Sequence, residues 1–453
     1  MATGARRRRG PPAGRGAGPA ASARTCAFAV VRRVFEQGAY ADRAFHSEAA
    51  ALDPRDRALA MALSYGTIQR RRTLDHVIAK LSSRPVSKLD PATLAALRLG
   101  VFQLLFLGGV ADHAAVNESV ELAKRSRPAG AGLVNAVLRR AAREGRAVIA
   151  ALDDRDPAQA AVLHSVPDWL ASRWWAELGA EQARALLSRI NEPAESAVRV
   201  NQLVASTEDV LARLPVAAAT VPSLPEGIVL EGAFDAHGSE LFEQGAIMPQ
   251  SRASMLVSRV LAPVPGERVL DLCAAPGGKT THLAALLEDR GEVLAVERHR
   301  GRADALARTC LQMHAACVRV EVADAAKRRS ERPYDRVLVD PPCSGLGTLQ
   351  SRPDLRWRAN PDTITELSAL QRRILDAAGE ATAPGGVLVY SVCTISRQEG
   401  PEMIDGFLHE HPEFAAEDAG QAAGRQHTDQ PYLQLLPHRD RTDGFFIARL
   451  RRR

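Results

Sequence analysis

Apolar positions recur at helical spacing through residues 25–145, then give way to short apolar runs separated by helical stretches from Ile247 onward. In the first region, 27–35, 57–66, 74–81, 91–106, 115–124 and 132–143 each carry an apolar stripe of period 3.6. Pro91 behind Asp90, and Asn117-Glu118 after His113, read as helix starts. The pattern predicts an all-α domain of five or more helices. Residues 158–195 continue as a helical connector whose Trp169, Trp174 and Trp175 suit core packing better than base stacking. Residues 196–245 mix strands at 196–201 and 227–230 with a helix at 207–214, a small α+β lobe. The later runs at 268–272, 292–297, 318–322, 335–339 and 386–390 predict a doubly wound parallel sheet. A late run at 444–450 adds an antiparallel or edge strand.

Charge alters this picture little. The chain of 453 residues carries a formal net charge of +6. Six arginines and no acid fall within residues 1–24, so the remainder is neutral on balance and any basic surface is local. That Arg/Gly/Pro-rich stretch lacks the apolar core of a signal peptide and reads as a disordered arm. No apolar run approaches the roughly 20 residues of a membrane span, and the six cysteines (26, 273, 310, 317, 343, 393) form no CxxC or zinc-type pair. The expectation is a cytoplasmic protein with reduced thiols, no disulfide framework and no metal site. Five lysines stand against 54 arginines, which weakens arginine runs as evidence and draws notice to Lys279.

Lys279 belongs to Asp271-Leu272-Cys273-Ala274-Ala275-Pro276-Gly277-Gly278-Lys279-Thr280, which follows a strand and opens a helix. A phosphate-binding loop would need glycine at 273, and Pro276 removes a donor N–H, so a polyphosphate cradle is excluded. Acids then end successive strands: Glu297, Asp324 and Asp340. Such a crevice favours a nucleoside bearing a cationic sulfonium over a polyphosphate, with Glu297 at the ribose hydroxyls. Two thiols follow the fourth and fifth strands, Cys343 in Asp340-Pro341-Pro342-Cys343-Ser344 and Cys393 in Tyr390-Ser391-Val392-Cys393-Thr394. Paired thiols and a carboxylate at strand ends point to covalent catalysis on an electron-poor ring. Cys26, Cys310 and Cys317 read as small core residues. Arg352, Arg356 and Arg358 around Trp357 form a candidate phosphate-and-stacking patch, with a packed loop as the plainer alternative.

These motifs resemble the class I S-adenosylmethionine-dependent RNA cytosine 5-methyltransferases, with support from Arg352–Trp357, Leu370-Gln371 and Asp443-Gly444-Phe445-Phe446. The segments Asp56-Arg57, Ser64-Tyr65-Gly66, His113–Lys124 and Gly132–Arg140 resemble NusB-like RNA-binding domains. The resemblance implies a multidomain protein: a tail (1–24), an all-α NusB-like bundle (25–150), a helical connector with a small α+β lobe (151–245) and a Rossmann-like catalytic domain (246–453). It implies S-adenosylmethionine held by residues 273–279 (Cys273, Ala274, Ala275, Pro276, Gly277, Gly278, Lys279) with Glu297, Asp324 and Asp340, and RNA, specifically small-subunit rRNA, as partner. It further implies Cys393 as nucleophile, Cys343 in product release and Asp340 in base orientation, with Lys279 beside them. Position 341 is Pro where the family has a small residue, and 392 is Val where Thr is common. Two rivals are a DNA-type cytosine methyltransferase using Cys343, and an RNA-binding ribosome-assembly factor with weak or absent activity.

Overall fold

The computed structural model describes residues 22–425 and 430–453. They form two compact units that divide after Ala150. Residues 1–21 of the expected tail lie outside the described residues, and the helical part starts within its last positions: the Ser22 side chain caps a helix beginning at Ala23.

The first unit contains seven α-helices among its described residues: Ala23–Gln37, Ala41–Glu48, Pro54–Gln69, Arg71–Leu81, Pro91–Leu105, Asp112–Ser126 and Ala131–Ala150. Asp53 and Asp90 cap helices that open on Pro54 and Pro91, where a missing N–H costs nothing. Helix Pro91–Leu105 is buried on nearly every face and packs against five of the others. Arg98, the charged residue within it, reaches Asp75 through two bonds of 2.7 and 2.8 Å. Helix Ala41–Glu48 was not anticipated; it is eight residues long and buries only Ala41, Ala44 and Phe45, too short a stripe to read.

The second unit opens with helices Pro157–Leu163, Asp168–Leu178 and Ala180–Arg189. Trp174 is fully buried there and Trp169 and Trp175 pack against the same core, as expected of packing residues. Four antiparallel strands follow, β1 (Ala197–Val200), β2 (Ala218–Val221), β3 (Leu224–Leu230) and β4 (Ile247–Pro249), in the order β2-β3-β1-β4.

The large sheet holds β5 (Arg268–Asp271), β6 (Glu292–Glu297), β7 (Val318–Val322), β8 (Tyr334–Val339), β9 (Thr382–Val392), β10 (Phe414–Glu417), β11 (Leu433–Leu435) and β12 (Phe445–Arg452). Its order is β10-β12-β9-β8-β5-β6-β7, with β11 also on β12. β5 to β9 pair in parallel; β12 runs antiparallel to β9, β10 and β11. Side chains alternate between two buried layers. Leu270, Val337, Val339, Leu388 and Tyr390 face helices Pro361–Ala381 and Pro401–Glu410. Val269, Leu338, Val387 and Val389 face helix Arg252–Leu261. This burial on both faces explains the unbroken apolar runs.

The sheets go beyond the sequence reading in two respects. β2, β4, β10 and β11 are additional strands of three or four residues, and β2 buries no side chain, so none leaves a periodic trace. The last strand is antiparallel, the first of the two arrangements expected, and it lies inside the sheet between β9 and β10 instead of at an edge.

Candidate active site

The glycine-rich turn leaves β5 at Asp271 and enters helix Gly278–Leu286. Asp271 is buried and accepts the Thr280 hydroxyl at 2.7 Å; burial raises its carboxyl to about 6 despite that bond. Gly277 has φ +112°, and a Cβ there would lie 2.9 Å from Leu306, so only glycine lets the turn sit against helix Arg300–Gln312. From β1, fully buried Arg199 donates to the Thr281 hydroxyl and to Gln250, each at 2.9 Å, and so ties the small lobe to the start of this helix.

The parallel topology sets the acids at neighbouring strand ends. Glu297 ends β6 and accepts the His299 N–H at 2.8 Å; Arg302 lies 3.4 Å from it and donates to the Ala275 carbonyl. Asp324 follows β7 and accepts from Ala326 N. Asp340 follows β8 and takes bonds from Lys279 Nζ at 2.7 Å and Ser391 Oγ at 3.0 Å. This row of carboxylates beside a turn that leaves no room for a Cβ fits S-adenosylmethionine, whose nucleoside carries a positive sulfonium.

The structure brings Cys343 and Cys393 together, with their sulfurs 3.3 Å apart. Both are half-buried. The pair is asymmetric. The bond between them lowers the Cys393 thiol, and Arg352 and Lys279 add to this against burial and Asp340. The same bond, burial and the charge of Glu399 hold Cys343 well above the ordinary thiol range. Lys279 is cationic: burial opposes its charge, but Asp340 beside it prevails. Close backbone approach pins these loops. Gly347 N donates to the Cys393 carbonyl and Gly444 N to the Gly347 carbonyl, and a Cβ on Gly347 would sit 1.9 Å from the Gly444 oxygen. Cys273 is only partly buried and lies in the turn, whereas Cys26 and Cys310 are buried and Cys317 packs against two cores.

Two findings depart from the sequence reading. Glu399, wholly buried, accepts from Ser344 N at 2.8 Å, from the Ser344 hydroxyl, from Gln371 Nε2 at 3.1 Å and from Thr394 Oγ1 at 3.2 Å. It lies in a turn with no motif signature, and a lone acid after Cys393 gives no signal of its own. Arg356 is not available to RNA phosphates: it is fully buried and donates to the Ser165, Ile190 and Leu349 carbonyls and to Asn191 Oδ1. Of the proposed patch, Arg352 is exposed and acts on Cys393.

Comparison with known proteins matches this architecture. Residues 258–451 match the model of the 16S rRNA methyltransferase RsmB/F family, 21–143 the NusB family and 166–237 the RsmF/B-like ferredoxin-like domain. The probable ribosomal RNA small subunit methyltransferase B of Synechocystis is 35% identical, over 95% of this chain and 99% of that protein. Its Thermus thermophilus counterpart is 37% identical over 88% of this chain and 89% of its own. The crystal structure of PH0851 aligns with a TM-score of 0.79 at 28% identity, over 96% of this chain and 99% of that one. With a NusB domain, a ferredoxin-like lobe and an S-adenosylmethionine-dependent methyltransferase domain in one chain, the protein belongs to the 16S rRNA methyltransferase RsmB/F family.

Proposed function

We propose that this enzyme methylates carbon 5 of a cytosine in small-subunit rRNA through a covalent bond to Cys393. The observation that carries the reading is the asymmetric thiol pair, two sulfurs 3.3 Å apart beside the Lys279–Asp340 pair. Residues 273–279, with Glu297 and Asp324, would hold S-adenosylmethionine, which supplies an electrophilic methyl group when bound. Carbon 5 of cytosine is a poor nucleophile. Addition of the Cys393 thiolate to carbon 6 makes the ring electron-rich at carbon 5, which can then take the methyl group. Asp340 holds the N3 edge of the ring, and Lys279 and Ser391 fix that carboxyl. The carbon 5 proton must then leave so that the Cys393 sulfur can depart, and Cys343 assists this elimination. The base must be exposed in a loop or turned out of its stack to reach the sulfur.

The test is a covalent trap on a denaturing gel, using wild type, Cys343→Ala and Cys393→Ala with S-adenosylmethionine and small-subunit rRNA. The expected result is an adduct that accumulates only with Cys343→Ala, and loss of both adduct and methyl transfer with Cys393→Ala. An adduct accumulating in Cys393→Ala would move the nucleophile to Cys343 and overturn the assignment. Cofactor binding without turnover in wild type would favour an assembly factor.

A further inference from the structure

We propose that Glu399 is a positioning residue that determines which of the two neighbouring sulfurs acts as nucleophile. This rests on the cytosine reading above and deepens it. Two thiols in van der Waals contact are chemically equivalent unless their surroundings differ. Here the surroundings differ in both geometry and charge. Ser344 immediately follows Cys343, and Thr394 immediately follows Cys393; their hydroxyls are 2.8 Å apart, and Glu399 accepts from both. The carboxylate also takes the Ser344 N–H and the Gln371 amide, whose nitrogen donates in turn to the Pro342 carbonyl at 2.9 Å. The Tyr390 hydroxyl donates to the Glu399 carbonyl at 2.8 Å and lies 3.2 Å from Gln371 Oε1. Both neighbours of Cys343 are therefore tied to one buried carboxyl group, Ser344 directly and Pro342 through Gln371, while the cations of the site, Lys279 and Arg352, act on Cys393.

The Glu399 carboxylate accepts four hydrogen bonds, and each one lost would leave a buried polar group unpaired. Its field opposes a second negative charge on the Cys343 side of the pair. The proton shared by the two sulfurs thus rests on Cys343, and the electron pair that attacks carbon 6 belongs to Cys393. The same anchor sets the spacing of the two loops, because Ser344 and Thr394 are held through a common acceptor.

The experiment is alkylation of the full-length protein with iodoacetamide across pH, followed by peptide mass spectrometry of each cysteine, for wild type, Glu399→Gln and Glu399→Asp. Wild type should label Cys393 ahead of Cys343. Glu399→Gln should reduce that preference by about tenfold near neutral pH, lower kcat, and leave the affinity for S-adenosylhomocysteine within about twofold. Glu399→Asp, which keeps the charge, should retain most of the preference. Should Glu399→Gln not fold, Ser344→Ala cuts the hydroxyl link and should move the ratio the same way by about threefold. An unchanged Cys393 to Cys343 ratio in the folded variant would overturn the proposal, leaving Glu399 a purely structural anchor. The ratio is read without RNA, so failure of cytosine methylation would sink the proposed function while leaving this measurement interpretable.

Discussion

At the residue scale, the site works by placing opposite charges around two identical functional groups. Lys279 bonds Asp340 at 2.7 Å and its charge favours the Cys393 thiolate. Lys279→Met should therefore raise the Cys393 thiol and move the low-pH limb of kcat/KM to higher pH. It should also leave Asp340 without its cation and cost on the order of 10²-fold in kcat. A pH–rate profile that keeps its position while the rate falls would show that Lys279 only orients Asp340. The residues of this cluster differed in how readable they were. Cys343, Cys393, Asp340 and Lys279 each follow a buried strand or occupy a glycine-rich turn, so their positions draw notice, and the family resemblance supplies their expected roles. Glu399 and Gln371 sit in a turn and on a helix, and what matters about them is a shared hydrogen-bond network between positions far apart in sequence. The arginines and tryptophan around Arg356 suggest either a nucleic-acid patch or a packed loop. Only the fold shows that its guanidinium satisfies three carbonyls and an asparagine side chain. Arg356→Lys should leave several of these buried acceptors unpaired and destabilise the protein by about 3 kcal/mol, measurable by urea denaturation.

At the element scale, legibility follows burial. β5, β6, β8 and β9 are covered on both faces and read as apolar runs, whereas β2 is exposed and β4 and β11 have three residues each, too few to establish a period. The joint between the small lobe and the helix after the glycine-rich turn was equally silent, being built from isolated buried polar residues. Glu226 on β3 receives Arg259 through two bonds and lies 2.8 Å from His282 Nε2, on helix Gly278–Leu286. Burial depresses His282 to about 4 from an ordinary value of 6.5, although Glu226 pulls the other way. The imidazole is thus neutral in the folded protein, with Nε2 close to the Glu226 carboxylate. In the unfolded chain His282 takes up its proton near pH 6.5, so stability is full above that pH and falls as pH drops from about 6.5 to about 4. The loss amounts to about 3 kcal/mol. Urea unfolding at pH 7 and pH 5 should show about 2 kcal/mol of this loss in wild type, and His282→Gln should remove most of the pH dependence while lowering stability at pH 7. An equal pH dependence in both proteins would assign the acid lability to other groups.

At the scale of the whole molecule, the helices of the first unit pack around the central helix Pro91–Leu105, and the second unit is held by pairing between distant strands. Leu97 and Leu99 on the central helix Pro91–Leu105 are fully buried, so Leu97→Ala should cost about 2–5 kcal/mol, read as an earlier loss of helical signal on heating. In the second unit β12 fills the gap between β9 and β10, and Gly444 at its entrance supports the Gly347 backbone beneath the two thiols. A chain ending before Phe445 would leave β9 with an open edge and is expected to aggregate, which a sedimentation assay of the truncated protein would detect. The position of β12 also imposes an order of events during translation. The thiols, the carboxylate row and the turn all emerge from the ribosome well before residue 445, yet the sheet that aligns them cannot close until that strand is free to insert. A nascent chain therefore holds the residues of the site while one flank of β9 is still unpaired, and the sheet is complete only once the last strand inserts.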